Sequence, residues 1–300
     1  MSHPSGLALH GCGTALITPF TASGAVDEIA LRALVEWQIA EGIDFLVPCG
    51  STGEAATLSL QEHLRVVAIT SEVVAGRMPV IGGAASNDTA KAVVLSKAVV
   101  DAGATYLLHA SPAYSRPPQR GIVAHFKAIA DAATRPIVLY NVPSRTASNM
   151  DAATTLALAA HPNIAAIKEA SGNIPQIEEI IRNRPEGFSV LSGDDAVTVQ
   201  LMERGAHGVI SVVSNVVPRA MSTVSGAMLR GDATTAHMFD GRLKSLYRAS
   251  GVESNPIPIK AAMHLLGRAE NVLRLPLVPL ADEHLAAVRD ALVAAGALEQ

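Results

Sequence analysis

Aromatic side chains make up only 3% of the 300 residues: one Trp, four Tyr and five Phe. A core built from this chain must pack through small aliphatic groups, and a hydrophobic fraction of 49%, rich in Ala and Val, supplies them. Cysteine is scarce too. Cys12 and Cys49 sit in apolar runs without a partner at metal-ligand spacing, so both are expected as buried free thiols. A net charge of −4 gives no electrostatic footprint for nucleic acid. No uncharged apolar run reaches membrane-spanning length, and residues 1–10 lack the basic and apolar regions of a signal peptide. A soluble, cytoplasmic protein is the expectation. Also missing are G-x-x-x-x-G-K-[ST], H-E-x-x-H and C-x-x-C, and the ten histidines are scattered. No metal and no bound cofactor is expected.

What is present is a rhythm. Short apolar runs recur about every 30 residues, at 13–17, 43–47, 79–82, 105–109, 136–140, 164–172, 188–191 and 207–211. Amphipathic helical patterns lie between them, such as 28–41, 60–74, 88–102 and 121–133. Eight strand–helix units with nearly continuous apolar strands predict parallel pairing closed into a (β/α)8 TIM barrel, of the α/β class, over residues 1–230. An open doubly wound sheet is the competitor, but no G-x-G-x-x-G follows the first run. Past residue 231 only helical patterns continue (234–249, 259–266 and 283–295), a tail too small for its own core. It is expected to pack on the barrel as a C-terminal helical extension, 231–300.

Chemistry in such barrels sits at the C-terminal ends of the strands. The sixth run, Ile164-Ala165-Ala166-Ile167-Lys168-Glu169, places a lysine there. Alternation puts Ile164, Ala166 and Lys168 on one face and Glu169 on the other. Turned inward, Lys168 loses solvation, its pKa falls, and the neutral amine becomes a nucleophile for carbonyl carbon. Turned to the rim, it would be an ordinary snorkelling lysine. Tyr140 ends the preceding run, within reach of that amine if the two strands are neighbours; alone it would read as a core tyrosine. After the second run, Gly50-Ser51-Thr52-Gly53-Glu54 offers backbone N–H groups for a carboxylate or phosphate, or is a turn in which Ser51 or Thr52 caps a helix. Arg145 follows Tyr140 on a loop and presents a planar fork for a carboxylate, or a surface salt bridge. Tyr114 lies in a proline-stiffened loop that suits a lid or a subunit contact, and Ser192-Gly193-Asp194-Asp195 reads foremost as a helix cap.

Taken together, Gly50 to Glu54, Tyr140 to Thr146, Ile167-Lys168-Glu169-Ala170-Ser171-Gly172 and Ser192 to Asp195 resemble the dihydrodipicolinate synthase family. So do Asn255-Pro256-Ile257-Pro258-Ile259-Lys260 and Leu273-Arg274-Leu275-Pro276. This family belongs to the pyruvate-dependent class I aldolases, which also include N-acetylneuraminate lyase. The resemblance runs in order from Gly13 to the C-terminal helices. It implies a lyase in which Lys168 forms a Schiff base with pyruvate, and the resulting enamine attacks L-aspartate 4-semialdehyde to give 4-hydroxy-tetrahydrodipicolinate, on the way to diaminopimelate and lysine. It further implies a proton relay through Ser51, Tyr140 and Tyr114, with Tyr114 reaching into a neighbouring subunit of a homotetramer built from tight dimers. Thr52 would hold the pyruvate carboxylate and Arg145 that of the semialdehyde. Gly193 and Ile210 would line the pyruvate pocket through backbone groups.

The chain departs from the family's pattern in places. Ser51 stands where threonine is usual, as in many neuraminate lyases, so an aldolase for a 2-keto-3-deoxy sugar acid or N-acetylneuraminate is the competing activity; Arg145 favours the short amino-acid aldehyde. A non-catalytic barrel would require loss of Lys168, Tyr140 or the glycine-rich loop, and none is lost. At the positions where lysine-regulated members bind their end product, His63 is kept, but Ala113 replaces a tyrosine, Leu60 a histidine and Lys91 a glutamate. A cation at Lys91 repels an incoming ε-ammonium, so insensitivity to L-lysine is expected.

Overall fold

The computed structural model describes residues 9–299. Most of the N-terminal stretch read above for a signal peptide, residues 1–8, lies outside the described residues. The strands are β1 (Gly11–Ala15), β2 (Phe45–Val47), β3 (Ile81–Gly83), β4 (Tyr106–Ala110), β5 (Ile137–Asn141), β6 (Ile164–Glu169), β7 (Ser189–Ser192) and β8 (Gly208–Ser211). Around them run α1 (Glu28–Ala40), α2 (Leu60–Val74), α3 (Thr89–Asp101), α4 (Gln119–Ala132), α5 (Pro143–Thr146), α6 (Ala152–Ala159), α7 (Ile174–Asn183), α8 (Thr198–Glu203) and α9 (Pro218–Leu229). The chain continues with α10 (Ala233–Ala249), α11 (Ile257–Leu265) and α12 (Asp282–Ala294). The strands pair in parallel in the order β2-β1-β8-β7-β6-β5-β4-β3. A parallel bridge from Leu46 to Val80 joins the two ends. This is the (β/α)8 barrel expected from the eight runs, not the open sheet.

Each strand is apolar on both faces because each face has its own core. Leu107, Leu139, Ile167 and Val209 pack outward against the helices. Phe45, Leu108, Val138 and Ile210 fill the barrel interior. Three of the few aromatics, Phe45, Tyr106 and Tyr140, are spent in the interior. Phe45 lies against Gly13, where a Cβ would sit 1.9 Å from the ring, so only glycine fits opposite it. In the tail, Leu243, Leu246, Ile259, Met263 and Leu292 join the same outer core, so α10–α12 pack on the barrel. Cys12 and Cys49 are buried and free, as expected. Among the described residues no helix is long and apolar enough to cross a membrane, and no three His, Cys, Asp or Glu side chains cluster to hold a metal.

One face assignment needs correction. Ile164 does not share the inner face with Ala166 and Lys168; it packs in the outer core. The β5–β6 register shifts there, with Ile137 opposite Ile164 but Val138 opposite Ala166. The extra residue, Ala165, is a bulge that reverses the alternation, and simple period-two counting cannot see it.

Candidate active site

Beyond the bulge the register is regular, and it sets Tyr140 directly opposite Lys168. One step on, on the outer face, Asn141 Nδ2 donates to both oxygens of Glu169 at 3.2 and 3.1 Å. Glu169 also accepts from the Ser171 backbone N–H at 2.7 Å. These bonds pin the two strand ends together behind the inward pair. Lys168 is 5% exposed, which excludes the snorkelling alternative. Its Nζ lies 4.6 Å from the centroid of the Tyr140 ring. Burial pulls the amine's pKa down to about 8; Asp195 opposes the shift and Arg145 adds to it. Burial raises the Tyr140 phenol above its usual range, against the pull of Arg145 and a hydrogen bond with Ser51.

The amine opens on a cavity of about 680 Å³ whose lining includes Ser51, Thr52, Tyr140, Arg145 and Gly193. Thr52 is buried, and its Oγ1 accepts from Asn255 Nδ2 at 2.9 Å. Neither Ser51 nor Thr52 caps a helix. The 3₁₀ turn Ala55–Thr57 begins at Glu54 without a side-chain cap, and α2 is capped by Ser59 in a reciprocal pairing with Glu62. Arg145, in α5, lines the cavity and donates from Nη2 to the Asn255 backbone carbonyl at 3.3 Å. Gly193 has a steric reason to be glycine: a Cβ there would lie 2.7 Å from that of Ala170 and 3.1 Å from Lys168 Cγ. Ala170, the Glu169 carbonyl and the lysine stem together occupy the space a side chain would need.

Two predicted residues stand apart. Ile210 does not line the cavity; its side chain lies in the barrel interior with Leu191 and Tyr140. Tyr114 is 93% exposed, held at φ 69°, and does not reach the site of its own chain. Its backbone N–H bonds to the carbonyl of Thr146, tying its loop to that of Arg145.

Three contributors were not assigned from sequence. Asp195 is buried on the cavity wall, and its Oδ2 accepts from Val212 and Val213 N–H at 3.0 and 3.1 Å, joining the loops after β7 and β8. Only its neighbour Asp194 takes the capping role, toward Ala196. Asn255 and Tyr247 arrive from the tail, with Asn255 bridging Thr52 and Arg145. The Asn255-Pro256 dipeptide was the available signal, but nothing local in it points at Thr52. A desolvated amine beside a phenol and a hydroxyl, with an arginine nearby, can form an imine with an anionic keto acid.

The chain is similar over nearly its whole length to known proteins. Residues 8–295 match the Dihydrodipicolinate synthetase family. The 4-hydroxy-tetrahydrodipicolinate synthase of Koribacter versatilis is 50% identical over 98% of each chain. A chloride-inhibited dihydrodipicolinate synthase from Acinetobacter baumannii, solved in complex with pyruvate, superposes with a TM-score of 0.94 at 40% identity, over 96% of this chain and 99% of that one. The Cyanidioschyzon merolae enzyme, solved with lysine bound, gives 0.93 at 39% identity over 96% and 99%.

Proposed function

The chain is a lyase of the dihydrodipicolinate synthetase family, and we propose that it condenses pyruvate with L-aspartate 4-semialdehyde to 4-hydroxy-tetrahydrodipicolinate through a Schiff base on Lys168. The observation that carries this reading is the buried amine of Lys168, opposite Tyr140 and lining the cavity. The neutral amine adds to the keto carbon of pyruvate, and the carbinolamine loses water to give the protonated imine. That imine is an electron sink, so the methyl carbon gives up a proton and becomes an enamine. The enamine carbon attacks the semialdehyde's aldehyde. The substrate amine then adds to the imine carbon, closes the ring and releases Lys168. Tyr140 and Ser51 move the protons, Thr52 and the 50–53 loop receive the pyruvate carboxylate, and Arg145 receives the second carboxylate. Gly193 shapes the pyruvate end through its backbone groups. The lysine itself supplies the covalent chemistry, so the proposal needs no cofactor.

Borohydride trapping with pyruvate, followed by mass mapping, tests the reading: the reduced adduct belongs on Lys168. With a pKa of about 8, the amine is mostly protonated below that pH and mostly neutral above it. Trapping therefore accelerates as pH rises from 6 and levels off above about 8. A pH-independent rate across that range would contradict the assigned nucleophile. A parallel assay against N-acetylneuraminate separates the competing activity.

We extend the proposal to assembly and regulation. An exposed Tyr114 on a loop tied to Thr146 supports a tight dimer that shares this tyrosine between sites, two such dimers making a tetramer. For regulation, His63 is buried with Nε2 bonded to the Gly83 carbonyl at 2.7 Å. Leu60 and Lys91 are exposed and offer an incoming lysine no carboxylate. L-Lysine at millimolar concentration should leave the initial rate unchanged; half-inhibition below that range would refute the insensitivity.

A further inference from the structure

A charge pair lies buried where the C-terminal tail meets the glycine-rich loop. Lys260 Nζ in α11 is 2.5 Å from Glu54 Oε1, and both side chains are fully buried. The same Nζ donates to the Val272 carbonyl at 2.8 Å and sits 3.9 Å from the centroid of the Phe20 ring. Glu54 Oε2 accepts from the Arg274 backbone N–H at 3.1 Å. The Arg274 guanidinium then bonds to the carbonyls of Gly24 and Thr57, at 2.7 and 2.9 Å, and to the Glu62 carboxylate. Burial draws the Lys260 pKa down to about 8 against the pull of Glu54, so the ammonium persists at neutral pH.

Stability is a weak reason to keep such a pair, because desolvating two charges offsets most of their attraction and apolar replacements of both are often tolerated. What the pair does fix is geometry. Glu54 has left-handed backbone, φ 52° and ψ 36°, and ends the loop that carries Ser51 and Thr52. Asn255, just ahead of α11, donates to Thr52 Oγ1 and accepts from Arg145. One tail segment therefore touches both side chains assigned to the substrate carboxylates, and its deepest anchor is Lys260 on Glu54.

We propose that the Lys260–Glu54 pair is a positioning device that locks the tail onto the 50–54 loop and so sets Thr52 and Arg145 for their carboxylates. The proposal rests on the substrate reading above. Neither residue touches substrate; both act through Asn255 and the loop.

The test compares Lys260→Met with the double variant Glu54→Gln/Lys260→Met. The single change strands a buried carboxylate and lowers Tm; removing both charges recovers most of it. In the recovered double variant, KM for pyruvate and for the semialdehyde stays raised about tenfold, the scale of a misaligned hydrogen bond to a charged group, while kcat changes less than threefold. A double variant with wild-type KM values overturns the proposal, as does a series in which KM merely follows Tm. If neither variant folds, Asn255→Ala breaks the link farther along. It removes the side-chain bond to Thr52 but keeps the backbone carbonyl that holds Arg145, so it should raise KM for pyruvate alone at unchanged Tm, and a wild-type value there is equally fatal. The two failures are distinct: a wild-type chain that forms no pyruvate adduct overturns the substrate reading, and variants that bind pyruvate normally overturn the positioning role.

Discussion

Lys168→Arg should leave the barrel folded and the enzyme inert, with turnover lower on the order of 10⁵-fold and no borohydride-trapped adduct. The cation is kept, and so is its partner ring at Tyr140. What is lost is the ability to shed a proton. Burial brings the lysine amine to about 8, within reach of neutral pH, whereas a guanidinium stays charged in any protein setting. An electron pair must be free to attack the keto carbon, and no neighbour can supply it: Tyr140 is a phenol pushed above its usual pKa. Loss of an activated nucleophile removes the whole covalent route, which is why the expected loss far exceeds that for a lost hydrogen bond. Lys168→Ala provides the control, because the lysine stem packs closely against Gly193 and a bulkier arginine head could displace the loop after β7. The alanine variant carries no such bulk. Both should be equally inactive in a coupled assay for the condensation. Turnover within tenfold of wild type in either would show that the amine is not the nucleophile.

The barrel and its reactive pair were legible in the sequence for a definite reason. A parallel sheet buried on both faces writes each strand as an unbroken apolar run, and all eight runs became strands. Helix α2 spans 60–74 as its periodicity requires, since the Ser59–Glu62 capping box marks its start in the sequence itself. Lys168 and Tyr140 could be paired because each ends its run and consecutive strands are neighbours. The misreadings share a different cause. The bulge at Ala165 depends on how two strands pair, so it moved Ile164 to the outer core without any local sign. The bond from Asn255 to Thr52 spans 203 residues, and Asp195 meets Val212 and Val213 across two loops. Periodicity, propensity and turn chemistry describe neighbours along the chain; contacts made by closing the barrel lie outside their reach. The lysine strand and the glycine-rich loop can therefore be found by reading, and the tail that holds them in place cannot.

Tyr140→Phe separates the covalent step from the proton transfers that follow it. The ring remains, so the packing in the barrel interior and the face presented to Lys168 remain with it. Stability should change by about 1 kcal/mol, the net worth of one hydrogen bond to Ser51. Turnover should fall by about 10²- to 10⁴-fold, the scale of a lost general acid or base. The direction of the tyrosine's pKa shift supports that role: raised by burial, the phenol keeps its proton at neutral pH and can donate it to the departing hydroxyl of the carbinolamine. Since the amine of Lys168 is intact, trapping should still label it, but more slowly, and KM for pyruvate should barely move because Thr52 is untouched. Ser51→Ala should show a milder version of the same pattern, as water can replace an exposed hydroxyl more readily than a buried phenol. A phenylalanine variant that turns over near the wild-type rate would remove Tyr140 from the mechanism and leave the 4.6 Å contact as packing alone.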